Sequence, residues 1–113
     1  VHFILLTNKK FCKLVKQDKT VHYKLNPGNI EKCKEAIVAF LQQIKNRAPY
    51  TIHYESYPDK NDPHRFMHRM CFIDPVVEEL HRNSSYCKTF VDTLYPISEE
   101  GPVFTDLEPV DIK

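Results

Sequence analysis

Two neighbouring segments of this chain, Tyr50–Tyr57 and Arg65–Ile73, alternate between apolar and polar residues, and this pattern constrains the fold more than any other. Strict alternation is typical of β-strands that have one buried and one exposed face. The connection between them, residues 58–63, consists mostly of Pro, Asp and Asn, which are common in exposed loops. The sequence therefore predicts an antiparallel hairpin with one face covered by other elements.

The even-numbered positions form the predicted inner face of this hairpin, and they are mostly apolar or aromatic: Ile52, Tyr54, Phe66, Met70 and Phe72. Ser56 and His68 share the same face. An imidazole that leaves water needs a hydrogen-bond partner to compensate for its lost hydration. We therefore expect His68 to be paired with another polar group inside the core.

A further strand and a long helix are predicted before the hairpin. Residues 20–25 alternate in the manner of a half-buried strand. Apolar residues then recur at helical spacing from Ile30 to Ile44, and Lys and Glu occupy the opposite side. Asn29 is the predicted N-cap of this helix, and Pro49 is expected to end it.

Two shorter helices and a last strand are predicted after the hairpin. Asp74 is followed by a proline, a combination typical of a helix start. Ser84 is predicted to cap another helix, which Pro96 ends. Residues 103–112 suggest a final strand, and the proline at position 109 favours an edge strand or an extended arm.

The first residues stand apart from this pattern. Residues 1–6 form an apolar run that predicts a strand, whereas residues 11–19 fit a short strand and an irregular segment equally well. We therefore divide the chain into an N-terminal extension, residues 1–19, which could add an edge strand, and one domain, residues 20–113.

The order of the predicted elements in this domain is strand, helix, strand, strand, helix, strand. This order predicts an α+β fold, a ferredoxin-like antiparallel sheet with its helices on one face. The other face needs a cover that so short a chain does not supply. Two copies that pack sheet against sheet would cover it, and the sequence therefore predicts a homodimer in the form of a dimeric α/β barrel.

Composition argues against several classes of protein. The net charge is +1 without a basic stripe, which argues against a nucleic-acid-binding protein. No apolar run approaches the ~20 residues of a membrane span, and we expect a cytoplasmic protein. The four cysteines form no CxxC pair and the six histidines no metal-binding motif. The two glycines of the chain, Gly28 and Gly101, are far apart in sequence, so the chain has no glycine-rich phosphate-binding loop. We expect no metal and no cofactor.

Several segments, taken in order, resemble the antibiotic biosynthesis monooxygenase (ABM)-type domain of the dimeric α/β-barrel superfamily. The resemblance extends over roughly residues 20–112, and the residues that carry it are Leu25-Asn-Pro-Gly28, Tyr54-Glu-Ser-Tyr57, Asp59, Asp62, Pro63, Phe72, His81-Arg-Asn-Ser84, Phe90 and Leu107-Glu-Pro-Val110. It implies a dimer with one pocket per subunit, between the sheet and the helices. Some members oxidise phenols or quinols with molecular oxygen and use neither a metal nor a flavin.

Other members of the superfamily degrade haem, act on small metabolites or have no known activity. The haem-degrading members rely on an Asn, a Trp and a His, and the matching positions here are Val21, His81 and Val91. Phe72 stands where many members carry Trp, and the chain contains no Trp. The resemblance therefore does not extend to haem oxygenation.

His81 is the first candidate for chemistry, because the resemblance implies that it lies at the pocket. A neutral imidazole can accept the proton of a phenol or hydroquinone, and the resulting anion gives an electron to oxygen more readily. The alternative is a structural histidine that bonds the Ser84 cap or a backbone carbonyl. The sequence leaves both interpretations open.

His68 and Tyr54 are predicted to share one surface of the hairpin, where they could orient a hydroxylated ring. A buried Tyr–His pair without any function explains them as well. Tyr23 lies in the same predicted layer. The remaining candidates for the walls of a substrate pocket are Phe66, Met70, Phe72 and Phe90, although such residues are more often plain core.

We therefore hypothesise a cofactor-independent monooxygenase for a small aromatic or quinone-like substrate. In this hypothesis His81 acts as general base, Tyr54 and His68 orient the substrate, and the Phe residues exclude water. One alternative is a non-enzymatic ligand-binding or stress-related dimer with the same pocket. A second is a structural assembly whose pocket is filled by its own side chains.

Overall fold

The computed structural model of the chain describes residues 16–110. They form four strands, three α-helices and a single turn of 3-10 helix: β1 Gln17–Leu25, α1 Ile30–Arg47, β2 Ile52–Pro58, β3 Arg65–Phe72, α2 Pro75–Arg82, α3 Ser85–Leu94, the 3-10 turn Tyr95–Ile97 and β4 Ser98–Leu107. The strands make one antiparallel sheet in the order β2-β3-β1-β4, with the helices on one face. The predicted α+β, ferredoxin-like class is confirmed.

The register of the sheet brings together residues that are distant in sequence. In the β1–β3 ladder, Val21 lies opposite His68 and Tyr23 lies opposite Phe66. In the β2–β3 ladder, Tyr54 lies opposite Met70. Because side chains opposite each other project from the same face, all six lie under the helices. The face predicted from alternation is therefore the inner face of the structure.

Helix α1 covers this face with the apolar side predicted from its sequence. Cys33, Ile37, Phe40 and Ile44 are buried on it. Asn29 occupies the predicted N-cap position, but its side chain accepts no capping hydrogen bond. Its Nδ2 instead donates to the carbonyl oxygens of the preceding turn, so the side chain stabilises the turn rather than the first amides of the helix.

The two later caps are confirmed. Asp74 Oδ1 accepts a hydrogen bond from the Val77 amide at 2.8 Å. Ser84 Oγ accepts one from the Cys87 amide at 3.2 Å and donates to the His81 carbonyl oxygen at 2.6 Å. Ser84 therefore bonds the backbone of both α2 and α3 and fixes the corner between them.

The outer strands differ from the predictions at their ends. β1 begins at Gln17, three residues before the predicted start, because the polar residues there pair through their backbone with β3. β4 runs from Ser98 to Leu107 rather than over 103–112. It ends before Pro109, in keeping with the amide hydrogen that proline lacks. The strand predicted at residues 1–6 and the segment 7–15 lie outside the described residues.

The outer face of the sheet is not covered by any helix of residues 16–110. Val103 and Met67 both lie beside His22 on this face. Val103 is 59% exposed and Leu107, further along β4, is 41% exposed. Apolar side chains with this much exposure on a sheet face are typical of a surface that contacts another molecule.

Gly101 is the glycine at which this fold depends most on the absence of a side chain. Its φ is +79°, and a Cβ there would come within 2.6 Å of the His22 carbonyl oxygen. We predict that Gly101→Ala lowers the free energy of unfolding by about 3 kcal/mol, through both backbone strain and the clash. Urea denaturation measures this.

Gly28 provides the matched control, since its φ of +86° is similar but a Cβ would meet no atom within 4 Å. Gly28→Ala should cost only the strain of the left-handed conformation, about 1 kcal/mol. Equal losses in the two variants would contradict the close approach of β1 and β4.

Candidate functional site

His68, at the centre of β3, is fully buried and held by three hydroxyl groups. Its Nε2 lies 2.6 Å from the Tyr23 hydroxyl and 3.2 Å from Ser56 Oγ, and its Nδ1 lies 2.8 Å from the Tyr54 hydroxyl. These contacts link β1, β2 and β3 through one ring. They supply the partners that a buried imidazole requires.

Burial determines the charge of this group. It lowers the pKa of His68 from 6.5 to about 4, because a desolvated imidazolium is unfavourable. Burial also raises the pKa of Tyr23 and of Tyr54 far above the ordinary value for a phenol. All three side chains are therefore uncharged at neutral pH, and the contacts between them are hydrogen bonds between neutral groups.

A pocket of about 690 Å³ opens between the β4 edge of the sheet and helices α2 and α3. This volume is in the range of sites for small organic molecules. The apolar part of its wall comes from the sheet and from helices α1 and α3: Val21, Phe40, Met70, Phe72, Phe90, Leu94 and Phe104. Polar groups that face it include Tyr54 from the sheet and His81 from α2.

His81 is the one residue of α2 that is buried. Its Nδ1 lies 3.0 Å from the Tyr86 hydroxyl on α3. Its Nε2 has no hydrogen-bond partner in residues 16–110, and in that range every fully enclosed polar side-chain atom has one. Because His81 lines the pocket and its Nδ1 contacts Tyr86, we infer that Nε2 faces the pocket.

Aromatic rings surround His81. The centroids of the Phe72 and Phe40 rings lie 5.1 and 5.6 Å from that of the imidazole, and that of Tyr54 lies at 6.3 Å. Burial lowers the pKa of His81 to about 4, while the nearby Glu78 carboxylate acts in the opposite direction. At neutral pH His81 is a neutral imidazole, and one of its ring nitrogens has no partner within residues 16–110.

An ion pair closes one side of the pocket. Lys19 Nζ contacts the Glu78 carboxylate and lies 3.2 Å from Asp106 Oδ1. Both Lys19 and Glu78 are largely buried and line the pocket. Because the three residues belong to β1, α2 and β4, they hold α2, and with it His81, against the sheet.

The pocket contains some of the residues predicted for it and not others. His81, Tyr54, Met70, Phe72 and Phe90 line it. Three predicted residues, His68, Tyr23 and Phe66, do not. The register explains the difference. The pocket lies at the end of the sheet where Lys19 is opposite Met70, whereas Tyr23 and Phe66 are opposite each other at the other end.

The Tyr23 and Phe66 rings stack on each other in the core, with centroids 5.6 Å apart. They pack as core aromatics and do not line the pocket described above, and their predicted role in substrate binding stays a prediction. His68 lies between the two regions. It touches Tyr54, which lines the pocket, but does not line it itself.

Sequence reasoning missed several residues of the site. Lys19 lies in a segment with no clear pattern, and Glu78 reads as an ordinary polar helix residue. Tyr86 contacts His81 across the corner between α2 and α3, which helical periodicity does not predict. Phe104 had a detectable signal, since it is an aromatic residue in a predicted strand, but the face it occupies depends on the register with Val21.

Residues 16–110 contain no group of three or more His, Cys, Asp or Glu side chains arranged to hold a metal ion. Over the same range, no helix is long and apolar enough to cross a bilayer.

No protein-family model matches the sequence, and neither does any curated protein. The fold, in contrast, matches solved structures. One is an antibiotic biosynthesis monooxygenase, with a TM-score of 0.75 and 14% identity over 84% of this chain and 99% of that one. A Nitrosomonas europaea protein provisionally named an antibiotic biosynthesis monooxygenase has a TM-score of 0.75 and 18% identity over 84% of this chain and 90% of its own.

A third similar structure is a conserved Bacteroides thetaiotaomicron protein of unknown function described as a possible oxidoreductase. Its TM-score is 0.71 and its identity 16%, over 82% of this chain and 98% of that one. At such low identity the likeness defines the fold alone. The chain therefore has the ABM-type fold that its sequence resemblance implied.

The two buried histidines predict how stability depends on pH. Their folded-state pKa values of about 4 lie below the usual 6.5, so the unfolded chain binds more protons between these pH values. The contribution of these histidines to the free energy of unfolding should be at its full value above about pH 6.5 and should fall as the pH approaches 4. The difference corresponds to about 3 kcal/mol per histidine.

His68→Gln should remove about half of this pH dependence, as measured by urea denaturation at several pH values between 4 and 7. His53 lies on the exposed face of β2 with its side chain 70% exposed, and His53→Gln provides the control. A pH dependence that is the same in both variants would show that His68 is not held in the neutral form.

Proposed function

We propose that the protein is a monooxygenase that oxidises a small hydroxylated aromatic or quinol-like molecule with molecular oxygen, without a cofactor. One observation carries the proposal: His81, whose Nε2 has no hydrogen-bond partner in residues 16–110, lines an apolar pocket that Tyr54 also lines. The ABM-type fold of similar structures that are named as monooxygenases supports it.

In this reaction His81 would act as general base, with Nε2 accepting the hydroxyl proton of the substrate. For Nε2 to have a free lone pair, Nδ1 must carry the proton of the neutral ring and donate it to the Tyr86 hydroxyl oxygen. Tyr86 would then determine the tautomer, and Ser84 would fix the backbone of His81 through its carbonyl.

The proposed chemistry balances for a phenol that has a free para carbon. The phenolate gives one electron to oxygen, and the phenoxyl radical and superoxide combine to form a C–O bond. The imidazolium returns its proton to the terminal peroxide oxygen. The hydroperoxide then loses water as its O–O and C–H bonds break, which leaves a quinone. One oxygen atom enters the product, and the other leaves as water.

The weak basicity of His81 limits which substrates this base can ionise. Proton transfer from a phenol of pKa ~10 to an imidazole of pKa about 4 costs about 8 kcal/mol before the new charges interact. Attraction between the two ions offsets part of this cost. The favourable effect of Glu78 is already contained in the pKa of about 4. We therefore propose that the substrate is more acidic than a simple phenol, as hydroxyquinones and extended naphthols are.

The same low basicity favours a second candidate function, a non-enzymatic protein that binds such a molecule. The pocket would then hold its ligand through hydrogen bonds to Tyr54 and to His81 Nε2, without proton transfer. Both functions predict ligand binding, and only the first predicts oxygen consumption. In either case we propose a cytoplasmic location, where buried or half-buried thiols such as Cys33 and Cys87 remain reduced.

Turnover distinguishes the two functions. Oxygen consumption measured with an electrode, on a panel of naphthols and hydroxynaphthoquinones that have a free para carbon and corrected for autoxidation, should show turnover of at least one compound. His81→Gln, which preserves volume but is not basic, should lower kcat by about 10²- to 10⁴-fold. Full turnover in this variant would exclude His81 as the base, and no turnover with the whole panel would favour the binding protein.

We also propose that the protein is a homodimer in which two sheets pack through their outer faces. The exposed Val103 and the neighbouring Met67 support this, because both project from the face that no helix of residues 16–110 covers. Sheet-to-sheet packing would join the two subunits into a dimeric α/β barrel.

The dimer predicts a specific effect of charge on this face. Val103→Asp would place a carboxylate inside the interface and should give a monomer at micromolar concentration in sedimentation velocity. Val38, 63% exposed on α1, lies on the helical side, and Val38→Asp should leave the dimer intact. A monomeric wild-type protein at micromolar concentration would contradict the proposal.

A further inference from the structure

The hydroxyl proton of Tyr23 determines the direction of the hydrogen bonds around His68. Tyr23 is 3% exposed, and its hydroxyl contacts two possible acceptors in residues 16–110. One is Nε2 of His68 at 2.6 Å, and the other is the Cys33 sulfur at 3.6 Å. A ring nitrogen is a much better acceptor than a thiol sulfur, so Tyr23 donates to Nε2. The opposite direction would leave a buried O–H on a weak acceptor.

This direction fixes the tautomer of His68. A neutral imidazole has one nitrogen that accepts and one that donates. Because Nε2 accepts from Tyr23, Nδ1 carries the hydrogen and donates it to the Tyr54 hydroxyl oxygen at 2.8 Å. Ser56 Oγ lies farther from Nε2, at 3.2 Å, and does not displace the shorter bond.

Tyr54 then has its own proton free. His68 is its hydrogen-bond partner in residues 16–110, and there Tyr54 acts as the acceptor. Tyr54 also lines the pocket. With its O–H directed into the pocket, Tyr54 would be a donor to a molecule there, and burial keeps it protonated by holding the pKa of Tyr54 far above the physiological range.

We propose that Tyr23, His68 and Tyr54 form a chain of hydrogen bonds that runs in one direction, and that the Tyr54 hydroxyl at its end binds the anionic oxygen of an ionised phenol or enol. Donation from His68 to Tyr54 polarises the tyrosine O–H and strengthens it as a donor. Hydrogen bonds to an anionic oxygen are also stronger than those to a neutral one. In this arrangement Tyr54 contacts the substrate, while His68 and Tyr23 are positioning residues.

This inference rests on the proposed function of the pocket and narrows its substrate class. With ring centroids 6.3 Å apart, Tyr54 and His81 are close enough to address the same part of one ligand. His81 Nε2 would take the proton of a hydroxyl group, and Tyr54 would stabilise the oxygen that remains. The pocket should therefore prefer molecules with an ionisable hydroxyl group to ethers or hydrocarbons of the same shape.

The tautomer of His68 is measurable without any ligand. In the full-length protein with ¹⁵N-labelled histidine, two-bond ¹H–¹⁵N correlation spectra distinguish a protonated Nδ1 from a protonated Nε2. His68→Gln assigns the signals. We expect His68 to carry its hydrogen on Nδ1. A hydrogen on Nε2 would reverse the chain and overturn the proposal.

The donor at Tyr54 is tested with 4-nitrophenol, whose phenolate absorbs in the visible range. Titration of the bound probe should give a lower pKa in the wild-type protein than in Tyr54→Phe. The expected difference of about one to two pH units corresponds to a 10- to 100-fold preference for the phenolate. Tyr57, exposed on the opposite face of β2, provides the control Tyr57→Phe, which should match the wild type. 4-Nitroanisole, which cannot ionise, should bind wild type and Tyr54→Phe equally.

The positioning role of His68 has its own signature. Glutamine can accept from Tyr23 and donate to Tyr54, so His68→Gln should retain most of the preference for phenolate. Leucine can neither accept nor donate a hydrogen bond, so His68→Leu should lose about as much of the preference for phenolate as Tyr54→Phe does. Equal loss in the Gln and Leu variants would overturn the positioning role, as would no loss in either. If the Leu variant does not fold, a loss in His68→Gln as large as that in Tyr54→Phe would still overturn the positioning role.

The results separate this inference from the proposed function. A protonated Nδ1 and a phenolate preference that depends on Tyr54, without oxygen consumption, would support the hydrogen-bond chain and contradict the monooxygenase. Turnover that is unaffected by Tyr54→Phe would support the monooxygenase and contradict the chain. Failure of the wild-type protein to bind 4-nitrophenol at millimolar concentration would also overturn the inference.

Discussion

The burial of one imidazole, that of His68, determines how three strands of this sheet fit together. A fully enclosed ring with two nitrogen atoms must find partners for both, since each one left unpaired would cost about 1–3 kcal/mol. Tyr23 and Tyr54 provide these partners from the strands on either side, at 2.6 and 2.8 Å. A one-residue slip of either strand would point its tyrosine to the other face, so the polar contacts reinforce the register that apolar packing selects.

His81 shows how differently a similar ring behaves when one nitrogen remains accessible. Both histidines are neutral for the same reason, a pKa lowered to about 4 by burial. His68 uses both nitrogen atoms within the protein, whereas His81 uses one, on Tyr86, and presents the other to the pocket. A strongly perturbed pKa therefore does not by itself identify the reactive group. In the proposed function, the accessibility of its second nitrogen is what would identify His81 as the reactive group.

Much of the fold was predictable from local patterns, because alternation, helical spacing and capping residues act over a few positions. Those rules placed His68 on the inner face and predicted the caps at Asp74 and Ser84. The site was less predictable, since it depends on register between distant segments. No local pattern shows that Val21 lies opposite His68 and Phe104, or that Tyr23 and Phe66 belong to the end of the sheet away from the pocket.

The two histidines also connect the stability of the fold with the chemistry of the pocket. An apolar environment excludes water, strengthens hydrogen bonds and keeps both rings neutral, and for that reason it makes protonation of either ring destabilising. For His68, which is sealed in the core, protonation would place a positive charge inside the sheet without a counter-ion. For His81, a proton that arrives with a negatively charged substrate oxygen is accompanied by its counter-ion, so the cost falls only when a suitable ligand is present. In the proposed function, the pocket would thus discriminate between bulk acid and an acidic ligand through the charge that remains beside the imidazolium.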